Sequence, residues 1–212
     1  ELEGFWLSFP FRHKVNVLKP GSWQFFRLRP ANFPTRRIVA AASFAVRFMQ
    51  DGFIGTIEKV FSNFLQKRQL AIRELENLFV LPTHEFWSQH FSFEDKTSAP
   101  AAKKAHILGA ERARDIVVNV ALPALTAYAV EIDDARLKIT VSEIYNSYPL
   151  LRENEITRQM NDLLFCARKK STIISSARMQ QGLIYLSKQM CISGECNACL
   201  AKLNLAQEKV DA

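Results

Sequence analysis

Apolar residues recur at spacings of three and four along most of this chain, a pattern that predicts amphipathic α-helices. The clearest example covers residues 35–50, where Thr35 follows Pro34 and is the predicted N-cap. Asp51 and Gly52 are expected to end this helix. One face of the predicted helix is apolar (Ile38, Ala42, Ala45 and Met49), and Arg36, Ser43 and Arg47 lie on another face.

The same periodicity predicts further helices in the rest of the chain. They cover residues 55–67, 69–79, 109–130, 133–146, 153–167 and 175–190. Residues 1–30 are aromatic and broken by prolines, which predicts an irregular segment, whereas 83–93 is compatible with a helix, a strand or a loop. The fold prediction is therefore all-α, a single multi-helix orthogonal bundle with an irregular aromatic N-terminal segment. It forms one domain over 1–212, with a candidate internal break at 98–104.

The longest apolar run covers residues 116–130 and contains Asn119, Pro123 and Thr126. A membrane span needs roughly 20 apolar residues, so this run predicts a buried core helix in a cytoplasmic protein without a membrane partner. The ring of Pro123 displaces the carbonyl of the residue four positions earlier, which predicts a kink. That residue is Asn119, whose side chain is expected to satisfy backbone groups freed by the kink.

Charge and candidate motifs narrow the range of functions. The chain has 28 Lys and Arg against 21 Asp and Glu, a net charge of +7. A basic balance favours nucleic acid, an anionic surface or an acidic partner, although many basic proteins bind no polyanion. The sequence contains no phosphate-binding glycine loop, nucleophile elbow or dinucleotide fingerprint. No catalytic residue is therefore predicted in this chain.

A run that interleaves basic and aromatic residues is the first candidate site. Arginine forks bind phosphate oxygens, aromatic rings stack on unpaired bases, and a helix start offers free N–H groups. In the alternative interpretation, arginines of this run bind buried carboxylates or carbonyls and pin the loop to the helix. The predicted nucleic-acid-binding residues are Arg27, Arg29, Phe33, Arg36 and Arg37.

The cysteines form the second candidate site. Cys191, Cys196 and Cys199 lie within nine residues, a spacing that suits one Zn²⁺ or an iron–sulfur cluster. Cys166 is the predicted fourth ligand, since a helical hairpin would bring two helix ends together. The alternative is a set of reduced cysteines without metal, and the sequence leaves zinc, a cluster and no metal open.

Several motifs resemble domain of unknown function 2851, a bacterial family. Residues 23–35 (WQFFRLRPANFPT) are similar to its W-x-x-x-R-x-R-P-x-N-F-P-T stretch. Residues 86–91 (FWSQHF), the Asn119 to Pro123 spacing and the tail from Gln180 to the cysteines are similar to later segments of the family.

The resemblance implies that this chain corresponds to the C-terminal half of a longer protein. The N-terminal half of family members carries acidic segments that look like the metal-binding core of PD-(D/E)XK-type nucleases, and this chain contains neither segment. We therefore expect a helical accessory domain of a nuclease-like protein, contributing nucleic-acid binding, with the N-terminal half as its partner. The alternative is a protein-interaction or structural module with a C-terminal cysteine metal clamp.

Overall fold

A computed structural model describes residues 32–63, 67–83, 85–92, 106–165 and 173–191, together with Ser8 and Pro10. The helices are α1 (Pro34–Arg47), α2 (Gly52–Asn63), α3 (Arg68–Phe79), α4 (Glu85–Gln89), α5 (Ala110–Ile116), α6 (Leu122–Glu131), α7 (Ala135–Ser147), α8 (Glu155–Phe165) and α9 (Ala177–Leu186). Within these ranges the only β-type pairing is an antiparallel bridge between Leu81 and Leu108. The prediction of an all-α fold is confirmed.

A central helix of 22 residues, Ala110–Glu131, is the axis of the core. It comprises α5, a π-helical turn (Val117–Ala121) and α6, and it packs against α2, α3 and α7. By length and mean hydropathy it could cross a membrane. One of its faces is buried inside the bundle, however, as a core helix requires. That face consists of Ala113, Val117, Val118, Ala121, Leu122, Leu125 and Ala129.

The backbone irregularity expected at Pro123 takes the form of the π-helical turn, which precedes the proline. The wider turn accommodates the missing N–H and the ring of Pro123 while the helix continues to Glu131. The side-chain Nδ2 of Asn119 donates a hydrogen bond to the Asp115 carbonyl at 2.8 Å. Asn119 therefore satisfies a backbone group beside the irregularity, as the sequence predicted.

The first helix presents a different face to the core from the one its apolar pattern suggested. Ile38 is 48% exposed and Met49 is 76% exposed, whereas Arg36 and Ala40 are buried and Phe44 packs against the core. The apolar face predicted for α1 is therefore the outer one. A cluster of aromatic rings at the end of α3 explains the difference, because it holds the Phe44 side of α1 against the core. Neighbouring ring centroids lie 5.2–6.2 Å apart, and the rings are those of Phe44, Phe48, Phe53 and Phe79.

The helix boundaries correct two further predictions. Thr35 is not the N-cap of α1, because Phe33 occupies that position and the Thr35 hydroxyl donates to the Phe91 carbonyl at 2.6 Å. Gly52 begins α2 instead of ending α1, and its φ of 69° allows the 70° bend between the two helices. At the start of α7, Asp134 is the N-cap, since its Oδ1 accepts the Leu137 amide at 2.9 Å.

A buried tyrosine ties the later helices to the centre. Tyr148, directly after α7, is fully buried, and its hydroxyl donates to Glu76 Oε1 on α3 at 2.7 Å. The other carboxylate oxygen of Glu76 lies 3.4 Å from Arg114 Nε on α5. The Tyr148 carbonyl accepts the Ala177 amide at the start of α9. One polar cluster thus connects α3, α5, α7 and α9.

Burial first, and the hydrogen bond to Glu76 second, raise the pKa of Tyr148 far above its ordinary value of 10.0. The unfolded chain releases this proton above pH 10 and the folded chain keeps it, so stability should fall as the pH rises further. We expect this component to reach about 1.4 kcal/mol per pH unit. Urea unfolding from pH 7 to about 11 would measure it, and Tyr148→Phe should lack it.

At pH 7 the same Tyr148→Phe substitution should lower the free energy of unfolding by about 1–3 kcal/mol, because a partly buried carboxylate loses its donor. Tyr185→Phe is the matched control, since Tyr185 is 63% exposed. Equal alkaline slopes in the wild type and Tyr148→Phe would contradict the assignment.

Candidate functional site

Arg36 lies on the inner face of α1, and its guanidinium is the most deeply buried charge among the described residues. Its Nη1 donates to the carbonyls of Trp87 (2.9 Å) and His90 (3.2 Å), and its Nη2 donates to that of His106 (3.1 Å). The guanidinium carbon lies 5.3 Å from the ring centre of Phe91. Arg36 thereby fixes α1 to α4 and to the segment at His106 that precedes the central helix.

The charge of Arg36 is only partly compensated. Its Nε–H is buried and has no hydrogen-bond partner, and no acidic side chain of the described residues forms an ion pair with it. Burial lowers the pKa of Arg36, yet a guanidinium stays protonated at neutral pH. A positive charge held by carbonyl dipoles and one aromatic ring therefore adds to the electrostatic potential beside α1.

Arg36 borders an open cleft of about 480 Å³ between α1 and the start of the central helix. Three of the lining residues are arginines and a fourth is a histidine. No carboxylate of the described part of the chain lines it. We call this site the basic cleft; its lining residues are Asn32, Arg36, Arg37, Ala40, His106, Ile107, Leu108, Gly109 and Arg112.

The N-terminus of the central helix adds to the positive potential of the basic cleft. Gly109 is the N-cap and offers no capping side chain, and the first intrahelical bond runs from the Ala113 amide to the Gly109 carbonyl. The three preceding N–H groups, on residues 110–112, are therefore not used within the helix. They lie at the positive end of the helix dipole, which favours anions.

The predicted nucleic-acid-binding residues are placed unequally. Arg37 is exposed in the basic cleft, whereas Arg36 is buried and binds carbonyls, the role that the alternative interpretation gave to arginines of this run. Phe33 is half-buried as the N-cap residue of α1. Arg27 and Arg29 lie outside the described residues. Arg112 was missed, because only the tertiary fold brings it to the same cleft as Arg37, 75 residues earlier in the chain.

Of the predicted metal ligands, the described residues include Cys191. It is exposed at the end of the π-helical turn that follows α9 (Ser187–Cys191), and its Sγ lies 3.9 Å from Met160 Sδ. Cys166, Cys196 and Cys199 lie outside the described residues. Over the ranges that the structure describes, no three His, Cys, Asp or Glu side chains form a metal-binding group. The Zn²⁺ or iron–sulfur site stays a prediction.

The sequence profile of a family described as "Protein of unknown function (DUF2851)" matches residues 6–154. The chain belongs to this family. The match includes every residue of the basic cleft and ends before all four cysteines. No curated protein and no solved structure matches the chain. Membership in DUF2851 thus places the chain among its relatives without assigning an activity to it.

Arg36 and Arg37 are neighbours in sequence with different structural roles, and substitution should separate them. Arg36→Met should lower the free energy of unfolding by about 2–4 kcal/mol, because three carbonyls lose a charged donor. Arg37→Met should change it by less than about 0.5 kcal/mol, as is usual for exposed positions. Urea denaturation of both variants measures the difference, and equal losses would contradict the assigned roles.

The predicted metal site can be tested by elemental analysis and visible absorption of anaerobically purified protein. A cysteine clamp predicts about one Zn²⁺ per chain, or iron with a brown colour, in the wild type. Cys196→Ala should lose the metal and Ser187→Ala should keep it. A folded wild-type protein without metal would overturn the prediction.

Proposed function

We propose that this DUF2851 chain binds nucleic acid through the phosphate backbone, using the basic cleft. The observation that carries the proposal is the buried, incompletely compensated guanidinium of Arg36 at the border of a cleft whose described lining contains three arginines and no carboxylate. A phosphate group would bring negative charge to this lining. The net charge of +7 supports the same polyanionic partner.

The residues of the basic cleft divide into two roles. Arg37 and Arg112 are exposed, so their guanidinium forks can reach phosphate oxygens. Arg112 forms an exposed ion pair with Asp115 at 3.2 Å, and a phosphate would share Arg112 with that carboxylate or displace it. Arg36 holds the cleft walls together through the carbonyls of Trp87, His90 and His106. Its guanidinium also adds a fixed positive charge beneath the surface of the basic cleft. The N–H groups at the start of the central helix offer further donors to the same anion.

The basic cleft has the groups for binding a phosphate backbone and lacks, among its described residues, groups for cleaving it. Arginine forks and backbone N–H groups hold phosphates in place, and they supply neither a nucleophile nor a carboxylate pair for metal-assisted cleavage. We further propose that any cleavage chemistry belongs to a nuclease-like region of a longer protein, with this domain as its accessory. Phosphate contacts carry little sequence information, so binding should depend weakly on base sequence.

Charge reversal in the basic cleft provides the test. Fluorescence anisotropy with a labelled DNA duplex of about 20 base pairs and a single-stranded RNA of equal length would measure affinity from about 50 to 200 mM salt. Arg37→Glu and Arg112→Glu should each weaken binding about tenfold or more at low salt. Each should also reduce the slope of log affinity against log salt by about 1, because one phosphate contact is lost.

Arg73→Glu is the matched control, since Arg73 is exposed on α3 and does not line the basic cleft. It makes the same change in net charge and should reduce affinity much less than either cleft variant. Equal losses in all three variants would show that net charge alone attracts the polyanion. Unchanged binding by Arg37→Glu and Arg112→Glu would overturn the proposal.

A further inference from the structure

Asn161 lies beyond the family match at residues 6–154, in a different part of the bundle from the basic cleft. Asn161 lies in α8, and only 8% of its surface is exposed. No residue in the described part of the chain forms a hydrogen bond with its side-chain amide. Arg36 Nε is the one fully buried side-chain nitrogen or oxygen of the described residues without a partner, so the Asn161 amide keeps contact with solvent and can bond to water or to a ligand.

Asn161 lines a pocket of about 280 Å³ between α8, α9 and the chain that leads into α8. The volume suits a molecule of about one ring, at the small end of ligand pockets. Apolar side chains form much of its wall. The lining residues are Leu150, Leu151, Glu153, Thr157, Asn161, Ile174, Gln180 and Leu183. We call it the Asn161 pocket.

The other polar groups of the Asn161 pocket already have partners. Gln180 binds both backbone groups of Leu151, accepting its amide at 2.8 Å and donating to its carbonyl at 3.0 Å. Thr157 is held by Asn154 at the start of α8, with mutual bonds of 2.9–3.0 Å. Glu153 forms an ion pair with Arg158 at 3.3 Å. The unused hydrogen-bonding capacity of the wall is therefore concentrated in Asn161.

We propose that the Asn161 pocket binds a small neutral molecule whose edge carries a hydrogen-bond donor beside an acceptor, as in a lactam or a pyrimidine base. A carboxamide offers both N–H donors and a carbonyl acceptor, so it pairs with such an edge through two parallel bonds. Leu150, Leu151 and Leu183 would cover the apolar remainder of the ring.

The charge of the lining distinguishes this site from the basic cleft. Among the described residues, the lining of the pocket includes no arginine, lysine or histidine, and its one charged residue is Glu153, which is ion-paired with Arg158. This lining offers an anionic ligand no positive charge, whereas a neutral ring needs none. The two sites share no lining residue, so the inference does not rest on the proposed nucleic-acid binding.

Titration of the full chain with uracil and with 2-pyrrolidone, followed by ¹⁵N–¹H NMR, tests the proposal. Both probes present an N–H beside a carbonyl, and they should shift the Asn161 side-chain amide resonances saturably. 1,3-Dimethyluracil keeps the ring and the carbonyls but has no N–H donor. It should bind about tenfold more weakly, the usual effect of removing one buried hydrogen bond.

Asn161→Leu is the variant for the test, and Gln159→Leu, at an exposed position of the same helix, is its control. Asn161→Leu should fold with little change in melting temperature, because Asn161 forms no side-chain hydrogen bond to another described residue. It should weaken uracil binding about tenfold or more, and Gln159→Leu should leave it unchanged.

Two results would overturn the inference. The first is the absence of saturable shifts with both probes up to about 10 mM, a concentration above the Kd of typical weak ligands. That result would mean that solvent alone satisfies Asn161. The second is equal binding of uracil by the wild type and Asn161→Leu. Nucleic-acid affinity is measured in a separate experiment. A failure of the Asn161 pocket to bind uracil can therefore be distinguished from a failure of the basic cleft to bind DNA or RNA.

Discussion

The arrangement of α1 and its neighbours depends on one buried guanidinium. Arg36 donates to carbonyls of three residues that lie 51–70 positions further along the chain. Burying a charge is costly unless hydrogen bonds and aromatic or acidic partners compensate for the lost water. Here carbonyls and the Phe91 ring compensate in part, which fixes α4 and the turn at His106 against α1. The basic cleft exists because these segments are held together.

The rest of the bundle depends on a different polar group, the phenol of Tyr148. Its hydrogen bond to Glu76 joins the end of α7 to α3, and Glu76 also reaches Arg114 on the central helix. The leucine, isoleucine and valine side chains around the central helix supply nonspecific burial. Directional bonds of Arg36 and Tyr148 select one arrangement of the helices among those that burial alone would allow.

Local signals explain which features could be read from the sequence. The spacing of apolar residues locates the helices, the carboxylate of Asp134 marks the start of α7, and Pro123 marks the irregularity of the central helix. These effects act within four residues of their cause. The prediction of the inner face of α1 was wrong because the apolar periodicity places an arginine on the solvent side. The carbonyls that hold Arg36 inside are known only from the fold.

The same reasoning explains the limits of the site prediction. Arg37 could be found from a run of charged and aromatic residues, because that signal is continuous in sequence. Arg112 comes to the basic cleft only through the Leu81–Leu108 bridge and the contacts of Arg36, neither of which leaves a local pattern. Asn161 has the pattern of an ordinary polar residue of an amphipathic helix, and only the fold places it in the wall of a pocket without a partner among the described residues.

The two candidate sites offer different contacts, a positive charge at one and neutral hydrogen bonds at the other. This difference sets the partner that we propose for each. At the basic cleft the unmet requirement is charge: Arg36 keeps an unused Nε–H and has no acidic partner in the described part of the chain. An anion is the partner that we propose there, and salt should weaken its binding. At the Asn161 pocket the proposed contact is a pair of neutral hydrogen bonds to an amide that otherwise bonds to water. Salt screens such bonds very little, so affinity there should be nearly independent of ionic strength.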